Sequence, residues 1–244
     1  SSSAFRTFLP LVVRSVPDVR ILSVEATQAV QTPANDGPLV AGRSTLLRGF
    51  SATRNPQPES SVRLTVVASR NGQPLSGSPL QVGPWAIFPT PERSEYGHSF
   101  NVLLPPAWLT GDVALGLTLA AAGPDADPTN NSLTTNISFQ LVPALDLKLV
   151  PIEYVDSANN ITYPALTSEA VSDFLLRTYP VNRVNVSLRS PLRFSGNLRQ
   201  FGDVMRLLTM IETAKKSDGA PDSQVYYGLL PDGNYGAAVA GIAW

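Results

Sequence analysis

Residues 17–143 form short runs in which apolar and polar residues alternate, the pattern of a half-buried β-strand. In the clearest run Val62, Leu64 and Val66 alternate with polar residues. Asn71-Gly72, the dipeptide that most favours a tight hairpin, follows directly. Pro, Gly and Asn separate the runs at intervals of about 10 to 20 residues, and no helical period interrupts them. The sequence therefore predicts an all-β sandwich over residues 17–143, with strands near 19–24, 46–50, 62–67, 80–82, 100–104, 113–119 and 133–141.

The pattern changes in residues 144–244, where strand and helix periods alternate. Strands are predicted at about 145–154 and at 184–188. Thr167 is the expected N-cap of a first helix that Pro180 closes, and a second helix follows Asn197 and ends before Gly219. This order predicts an α/β layer with at least one right-handed crossover. The expected apolar faces are Val171, Phe174, Leu175 and Thr178 in the first helix, and Phe201, Val204, Met205, Leu208 and Ile211 in the second.

The last residues, 224–244, are typical of a strand, a turn and the start of a second strand. Residues 225–230 have a strand period, and Pro231-Asp232-Gly233-Asn234 has the composition of a tight turn. The final stretch AAVAGIAW is apolar and rich in small residues. Since it carries no polar tail, we expect the chain to end inside a domain.

Composition narrows the range of partners and cofactors. A net charge of −1 disfavours nucleic acid and anionic membranes as partners, because both bind basic surfaces. The chain has no cysteine, which excludes disulfides and cysteine-ligated metals. No apolar run reaches the roughly 20 residues of a membrane span. We interpret residues 1–16 as an N-terminal linker left after export, and the many prolines favour a secreted or cell-surface bacterial protein.

Few residues are candidates for chemistry. His98 is the only histidine, and we expect it to have a structural role. Asp125, Asp127 and Asn130 lie in one loop and offer oxygen ligands suited to Ca²⁺, although Asp and Asn are equally common as turn residues. The carboxylates of Glu153, Asp156, Asp218 and Asp222 are expected to be solvated and unpaired. The sequence therefore predicts no catalytic residue and no bound cofactor in this chain.

A first resemblance is carried by the segment LLPPAWLTGDVALGLTLAAAGPDADPTNNS. It resembles the C-terminal half of bacterial Ig-like domains of the CARDB type, in which a P-x-x-W-L-x-G turn leads into a strand and an Asp-Asn turn precedes the last strand. Trp108, Gly111, Asp127, Asn130 and Asn131 stand at the matching places. The resemblance implies an Ig-like fold for residues 17–143.

A second resemblance covers about 100 residues at the C-terminal end. The stretches LDLKLVPIEY, LLRTYPVNRVNVSLRSPL, VYYGLLPDG and GAAVAGIAW resemble the lead-in to the zinc site of secreted bacterial metzincin-type, gametolysin-like metalloendopeptidases. In those enzymes an H-E-x-x-H-x-x-G-x-x-H helix follows soon afterwards. The matching residues are Tyr226, Tyr227, Gly228, Pro231, Gly241, Ile242, Ala243 and Trp244. The resemblance implies that residues 144–244 are the upper half of a catalytic domain, whose zinc ligands and general-base glutamate would lie beyond Trp244.

Two functions are therefore open. The first is the N-terminal portion of a secreted zinc endopeptidase that acts on proteins or peptides, with zinc held by the full-length parent and this chain inactive alone. The alternative is a cell-surface adhesion or binding module without enzymatic activity. An H-E-x-x-H motif within about 50 residues downstream would support the first function, whereas a stop codon after Trp244 would contradict it.

The resemblance also implies a role for the final strand. In metzincin-type enzymes an edge strand binds the extended substrate as a further strand, and here Ala240, Gly241 and Ile242 are the candidates. Their small side chains would let a second backbone approach. Small residues would equally let a helix pack closely there. If the rest of the domain is missing, the uncovered edge predicts self-association.

Overall fold

The computed structural model describes residues 16–28, 37–156, 158–165 and 167–231. Of these residues, 45% lie in strands and 18% in helices, so the described part of the chain is mostly β. The chain divides into two compact units, Ser1–Gln140 and Leu141–Trp244. No helix of the described residues is long and apolar enough to cross a membrane.

The first unit contains two sheets. One is three-stranded, in the order β1-β3-β7, and the other is six-stranded, in the order β2-β9-β8-β4-β5 with β6 also paired to β4. The strands are β1 (Val19–Thr27), β2 (Leu39–Val40), β3 (Leu46–Thr53), β4 (Glu59–Arg70), β5 (Gln73–Pro74), β6 (Leu80–Ile87), β7 (Ser99–Leu103), β8 (Gly111–Ala120) and β9 (Ser132–Gln140).

A single apolar core joins the strands of both sheets, because every second residue of each central strand points inward. In β4 the buried residues are Val62, Leu64, Val66 and Ala68, which is the alternation seen in the sequence. Trp108 is completely buried, and its indole Nε1 donates to the carbonyl oxygen of Ser76 at 2.9 Å. The predicted all-β sandwich is therefore present over this part of the chain.

The predicted hairpin at Asn71-Gly72 is confirmed. β4 and β5 pair antiparallel on either side of it, with Arg70 opposite Gln73. Both turn residues have positive φ, 51° for Asn71 and 75° for Gly72. Two successive positive φ values define the type I′ turn, whose twist matches that of the flanking strands.

The second unit is arranged around β10 (Leu145–Val155). Three strands pair parallel to it, and β12 and β14 lie on its opposite edges because both pair with residues 147–149. The other elements are β11 (Ile161–Thr162), which pairs antiparallel, β12 (Val184–Leu188), β13 (Leu192–Ser195), β14 (Val225–Leu229), α1 (Ser168–Thr178) and α2 (Phe201–Ser217).

Each helix covers a different face of this layer. Leu147 and Leu149 of β10 lie in one apolar cluster with Val171 and Leu175 of α1. The alternate residues Val150 and Ile152 lie in a second cluster with Leu207 and Ile211 of α2. Since neighbouring residues of a strand point to opposite faces, the two helices pack on opposite sides of β10.

The predicted ends of the two helices are confirmed more fully than their predicted buried faces. Thr167 is the N-cap of α1, with its hydroxyl accepting from the amide of Ala170 at 3.2 Å. At the end of α2, Gly219 has a φ of 62° and the amide of Ala220 donates to the carbonyl of Lys215, which is a Schellman motif. Both ends agree with the prediction, because the chemistry that caps a helix is local.

The predicted faces are confirmed only in part: Val171 and Leu175 of α1 and Val204 and Ile211 of α2 pack on the sheet as expected. Phe174 of α1 is 62% exposed and Phe201 of α2 is 67% exposed, although the helical period places both on the apolar faces. The buried residues of α2 are Leu207, Ile211 and Ala214, of which only Ile211 belongs to the predicted face, while the predicted Met205 and Leu208 are half-buried. The difference arises because the sheet meets α2 along a stripe that includes the small residue Ala214, which a search for large apolar side chains overlooks.

Candidate functional site

A polar cluster in the second unit is centred on Asp218, at the end of α2. Arg189, which directly follows β12, binds its carboxylate with two nitrogens: Nε donates to Oδ2 at 2.9 Å and Nη2 donates to Oδ1 at 3.1 Å. Such a two-point pair is stronger and more directional than a single hydrogen bond. The interpretation that Asp218 is an unpaired, solvated carboxylate is therefore wrong.

Two residues of the sheet complete the cluster. Lys148 of β10 and Tyr226 of β14 lie opposite each other in the parallel ladder, on the face that α2 covers. The Tyr226 hydroxyl donates to Asp218 Oδ2 at 2.8 Å, and Lys148 Nζ lies 4.0 Å from the same oxygen. The Asp218 carboxylate thereby connects α2 to β10, to β14 and to the end of β12.

The charges of this cluster favour one protonation state. The hydrogen bond from Arg189, followed by that from Tyr226, lowers the pKa of Asp218. The same bond to Asp218 raises the pKa of Arg189, whereas burial is the main cause of the raised pKa of Tyr226. At neutral pH the carboxylate is therefore ionised and the phenol protonated. An ionised carboxylate that already binds these donors serves as a clamp rather than as a proton donor.

A shallow groove beside α2 borders this cluster. Its volume is about 500 Å³, and it is lined by Arg189, Leu192, Arg206, Thr209, Met210, Thr213, Ala214 and Ser217. The charges of both arginines are compensated, since Arg206 Nη2 lies 3.2 Å from Asp203 Oδ1 and also donates to the carbonyl of Ser195. The hydroxyls of Thr209 and Thr213 donate to carbonyls of their own helix. The groove therefore presents few polar groups to a ligand.

The loop of the predicted calcium ligands lies in the first unit. Asp125 accepts hydrogen bonds from the amides of Val19 and Asp127, at 3.0 and 2.9 Å. Asp127 accepts from the amide and hydroxyl of Thr129 and from the side-chain amide of Asn130. The Thr129 hydroxyl is the main cause that lowers the pKa of Asp127. In this structure the loop oxygens serve as turn caps, and the calcium site stays a prediction.

The same loop is tied to the start of β1 by an arginine. Arg54 Nη1 lies 3.3 Å from Asp18 Oδ2 and 4.0 Å from Asp127 Oδ2.

Within the described ranges, no three His, Asp or Glu side chains come together in a way that could hold a metal ion.

His98 directly precedes β7 in the first unit. Its Nδ1 accepts from the amide of Glu92 at 3.0 Å, and its ring packs on Phe88 with a centroid distance of 4.0 Å. These contacts close the loop between β6 and β7, in agreement with the structural role predicted for His98.

The remaining sequence candidates are dispersed. Glu153 pairs with Arg193 across neighbouring strands at 3.6 Å, so its predicted isolation is also wrong. Asp156 accepts from the amides of Ala158 and Asn160 and caps a turn. The substrate-strand candidates Ala240, Gly241 and Ile242 lie outside the described residues.

No local pattern in the sequence places Arg189 and Lys148 beside Asp218. They are separated from Asp218 by 29 and 70 positions, and only the pairing of the strands brings them together. A charged residue within an otherwise apolar strand, such as Lys148 in LDLKLV, is the one feature that could have indicated a paired site.

Comparisons with known proteins identify no family, since no protein-family profile and no curated protein matches the chain. Among solved structures, it is similar to the crystal structure of a CARDB domain from Pyrococcus furiosus in complex with di-metal ions. The identity is 14% and the TM-score 0.31, over 54% of this chain and 100% of that one. A solution NMR structure of the same domain gives 15% identity and a TM-score of 0.30, over 53% and 100%. These neighbours are CARDB domains, but at such TM-scores neither likeness carries an argument about this chain.

Proposed function

We propose that this chain is the N-terminal portion of a secreted bacterial zinc endopeptidase: an Ig-like domain of the CARDB type followed by the upper part of a metzincin-type catalytic domain. The observation that carries the proposal is the position of Tyr226-Tyr227-Gly228. This part of the peptidase-like lead-in lies on β14, parallel to and directly beside β10, which holds the stretch LDLKLVPIEY of the same resemblance. Two separate stretches of the resemblance are thus neighbouring strands of one layer.

The two tyrosines of β14 have different surroundings, which supports the proposal. The Tyr226 side chain is fixed by Asp218 on the face that α2 covers. Tyr227 points to the other face and is 53% exposed. Tyr226 therefore anchors the strand, whereas Tyr227 lies on the face on which α1 packs and leaves about half of its surface exposed.

Gly228 gives a second support, because its lack of a side chain has a packing reason. A Cβ built on Gly228 would lie 2.6 Å from Cδ1 of Ile211 in α2, closer than van der Waals contact allows. Its φ lies outside the left-handed region, so the requirement concerns space rather than backbone conformation. The glycine of the YYG lead-in thus lets α2 approach β14.

In the part of the chain that the structure describes, no three His, Asp or Glu side chains form a group that could hold zinc. A catalytic zinc needs three protein ligands, and the sequence supplies one histidine and no cysteine toward such a set. His98 lies in the first unit, with Nδ1 bound to the loop backbone. We therefore assign no zinc ligand and no catalytic step to these residues. Their proposed contribution is to support the lead-in strand, which the Asp218 clamp attaches to α2 and β10.

The proposal is tested by the gene on the 3′ side of the Trp244 codon. An open reading frame that encodes H-E-x-x-H within about 50 residues is expected. The protein from that longer frame should retain one equivalent of zinc after dialysis, because a complete site holds three ligands. The 244-residue chain is the matched control and should retain none.

A stop codon directly after Trp244, or a longer protein that retains no zinc, would contradict the proposal. Either result would favour the alternative, a cell-surface binding or adhesion module. Stoichiometric zinc in the 244-residue chain would contradict the assignment of the ligands to the residues beyond it.

A further inference from the structure

A small cavity lies in the first unit at the edge of β3, where this strand changes its neighbour. Phe50 of β3 pairs with Ser99, the first residue of β7. Three residues further along, the amide of Thr53 donates to the carbonyl of Phe88, just after β6, at 3.2 Å. Ser51 lies between these two contacts, at the junction where the edges of the two sheets meet.

The hydroxyl of Ser51 is buried without a partner. Ser51 is 4% exposed, and its Oγ has no hydrogen bond to any described residue. Most buried hydroxyls in proteins are hydrogen-bonded, because losing water without a replacement bond is unfavourable. The position therefore requires a partner that the surrounding side chains do not supply.

The cavity beside this hydroxyl has the size of one water molecule. The centre of a water can occupy about 10 Å³ of it, close to the roughly 10 to 15 Å³ that one bound water needs. Polar and apolar residues share the walls, which are formed by Gly49, Ser51, Trp85, Ala86, Ile87, His98, Ser99 and Phe100.

We propose that this cavity binds a single structural water that accepts from or donates to Ser51 Oγ and bridges the edges of the two sheets. Backbone groups of alternate residues point to the same edge of a strand, so those of Ser51 face the same side as the amide of Thr53. They are further partners within the cavity. The hydroxyl of Ser99 is not one of these partners, because Ser99 is paired with Phe50 and its side chain therefore lies on the opposite face from that of Ser51. There it accepts from Arg48 Nη2 and donates to the carbonyl of Tyr96.

The bound water extends the hydrogen bonding of the β3 edge across the gap at Ser51, between its pairing with β7 and its bond to Phe88. On one side of the gap β3 pairs with β7, and on the other side it bonds to Phe88. The loop between β6 and β7, closed by His98, starts and ends at this point. The site thus fastens the two ends of this loop to β3.

The proposal is tested on the full 244-residue chain by NMR, through magnetisation transfer from water to the protons of Ser51, Trp85 and Phe100. A long-lived water contact is expected in the wild type and is expected to be lost in Ser51→Val, whose second methyl group occupies the cavity. Ser138→Val, which changes an exposed serine of β9, is the matched control and should keep the contact.

Two results would overturn the proposal: a wild type without a long-lived water contact, which means a dry cavity, or a Ser51→Val protein that keeps it. Should Ser51→Val fail to fold, Ser51→Ala removes the hydroxyl without adding volume and should also lose the contact. A crystal structure adds a direct check, since the water oxygen is expected about 2.7–3.0 Å from Ser51 Oγ.

Discussion

Replacing Gly228 by alanine tests how β14 is held in the second unit. The new methyl group would lie 2.6 Å from Ile211 Cδ1, whereas its next neighbour, Ile152 Cγ1, is at an ordinary 3.8 Å. Ile211 is 8% exposed and packed against the sheet, so its terminal methyl has little room to move. The substitution therefore forces either an unfavourable rotamer of Ile211 or a shift of α2 away from β14.

The expected cost follows from two opposing effects. Overpacking a core by one methyl group costs about 1–3 kcal/mol. Replacing glycine by alanine lowers the conformational entropy of the unfolded chain. Where the backbone is unstrained, this raises the free energy of unfolding by about 0.4–1 kcal/mol. We expect Gly228→Ala to destabilise the second unit by about 1–2 kcal/mol.

Urea unfolding followed by circular dichroism at 222 nm is a suitable assay, because α1 and α2 of this unit hold the described α-helical residues. Gly202→Ala in α2 is the matched control within the same unit. No atom lies within 4 Å of a Cβ built there, so the substitution should not destabilise the unit. Ile211→Val removes the Cδ1 methyl group that would clash with the methyl group introduced by Gly228→Ala. This variant therefore tests whether that contact causes the loss of stability.

Alone, Ile211→Val should cost about 0.5–1.5 kcal/mol. Combined with Gly228→Ala, it should cost clearly less than the sum of the two, since the overlap is gone. Additive costs in the double variant, or a Gly228→Ala protein as stable as the wild type, would refute the close approach of α2 to β14.

Three further outcomes are expected. Gly72→Ala should destabilise the first unit by about 1 kcal/mol, because position 72 has a φ of 75°; an unchanged urea midpoint would contradict this. Thr167→Ala removes the N-cap of α1 and should cost about 1 kcal/mol, with Thr167→Ser close to the wild type; equal losses in both variants would exclude a capping role. The fold lowers the pKa of Asp218, so its stabilising contribution is complete above the ordinary pKa of about 4 and is lost as the pH falls through the lower folded value. Urea midpoints measured against pH should therefore fall less steeply on acidification in Asp218→Asn than in the wild type, and identical slopes would disprove the clamp.

Local chemistry determined which parts of the fold could be predicted from the sequence. The turn at Asn71-Gly72, the cap at Thr167 and the helix end at Gly219 each depend on residues within a few positions. The alternation in β4 identifies its buried side for the same reason, because one face of the strand meets the core along its whole length.

Features that depend on distant contacts could not be predicted. Which stripe of α2 is buried depends on where the sheet meets it, and Phe201 stays exposed despite its apolar side chain. The pair of Asp218 with Arg189 requires the strand pairing of β12 with β10, which no local pattern encodes. The cavity at Ser51 arises where β3 passes from β7 to Phe88, and a lone serine in a strand gives no sign of it.

The proposed endopeptidase is tested most directly by cleavage of an internally quenched peptide library with the protein encoded by the longer reading frame. Cleavage is expected, together with its loss after treatment with a zinc chelator and its recovery when zinc is added back. The 244-residue chain should not cleave the library under any of these conditions. A longer protein that is folded and zinc-loaded yet cleaves nothing, or cleavage that a chelator leaves unchanged, would contradict the proposed function.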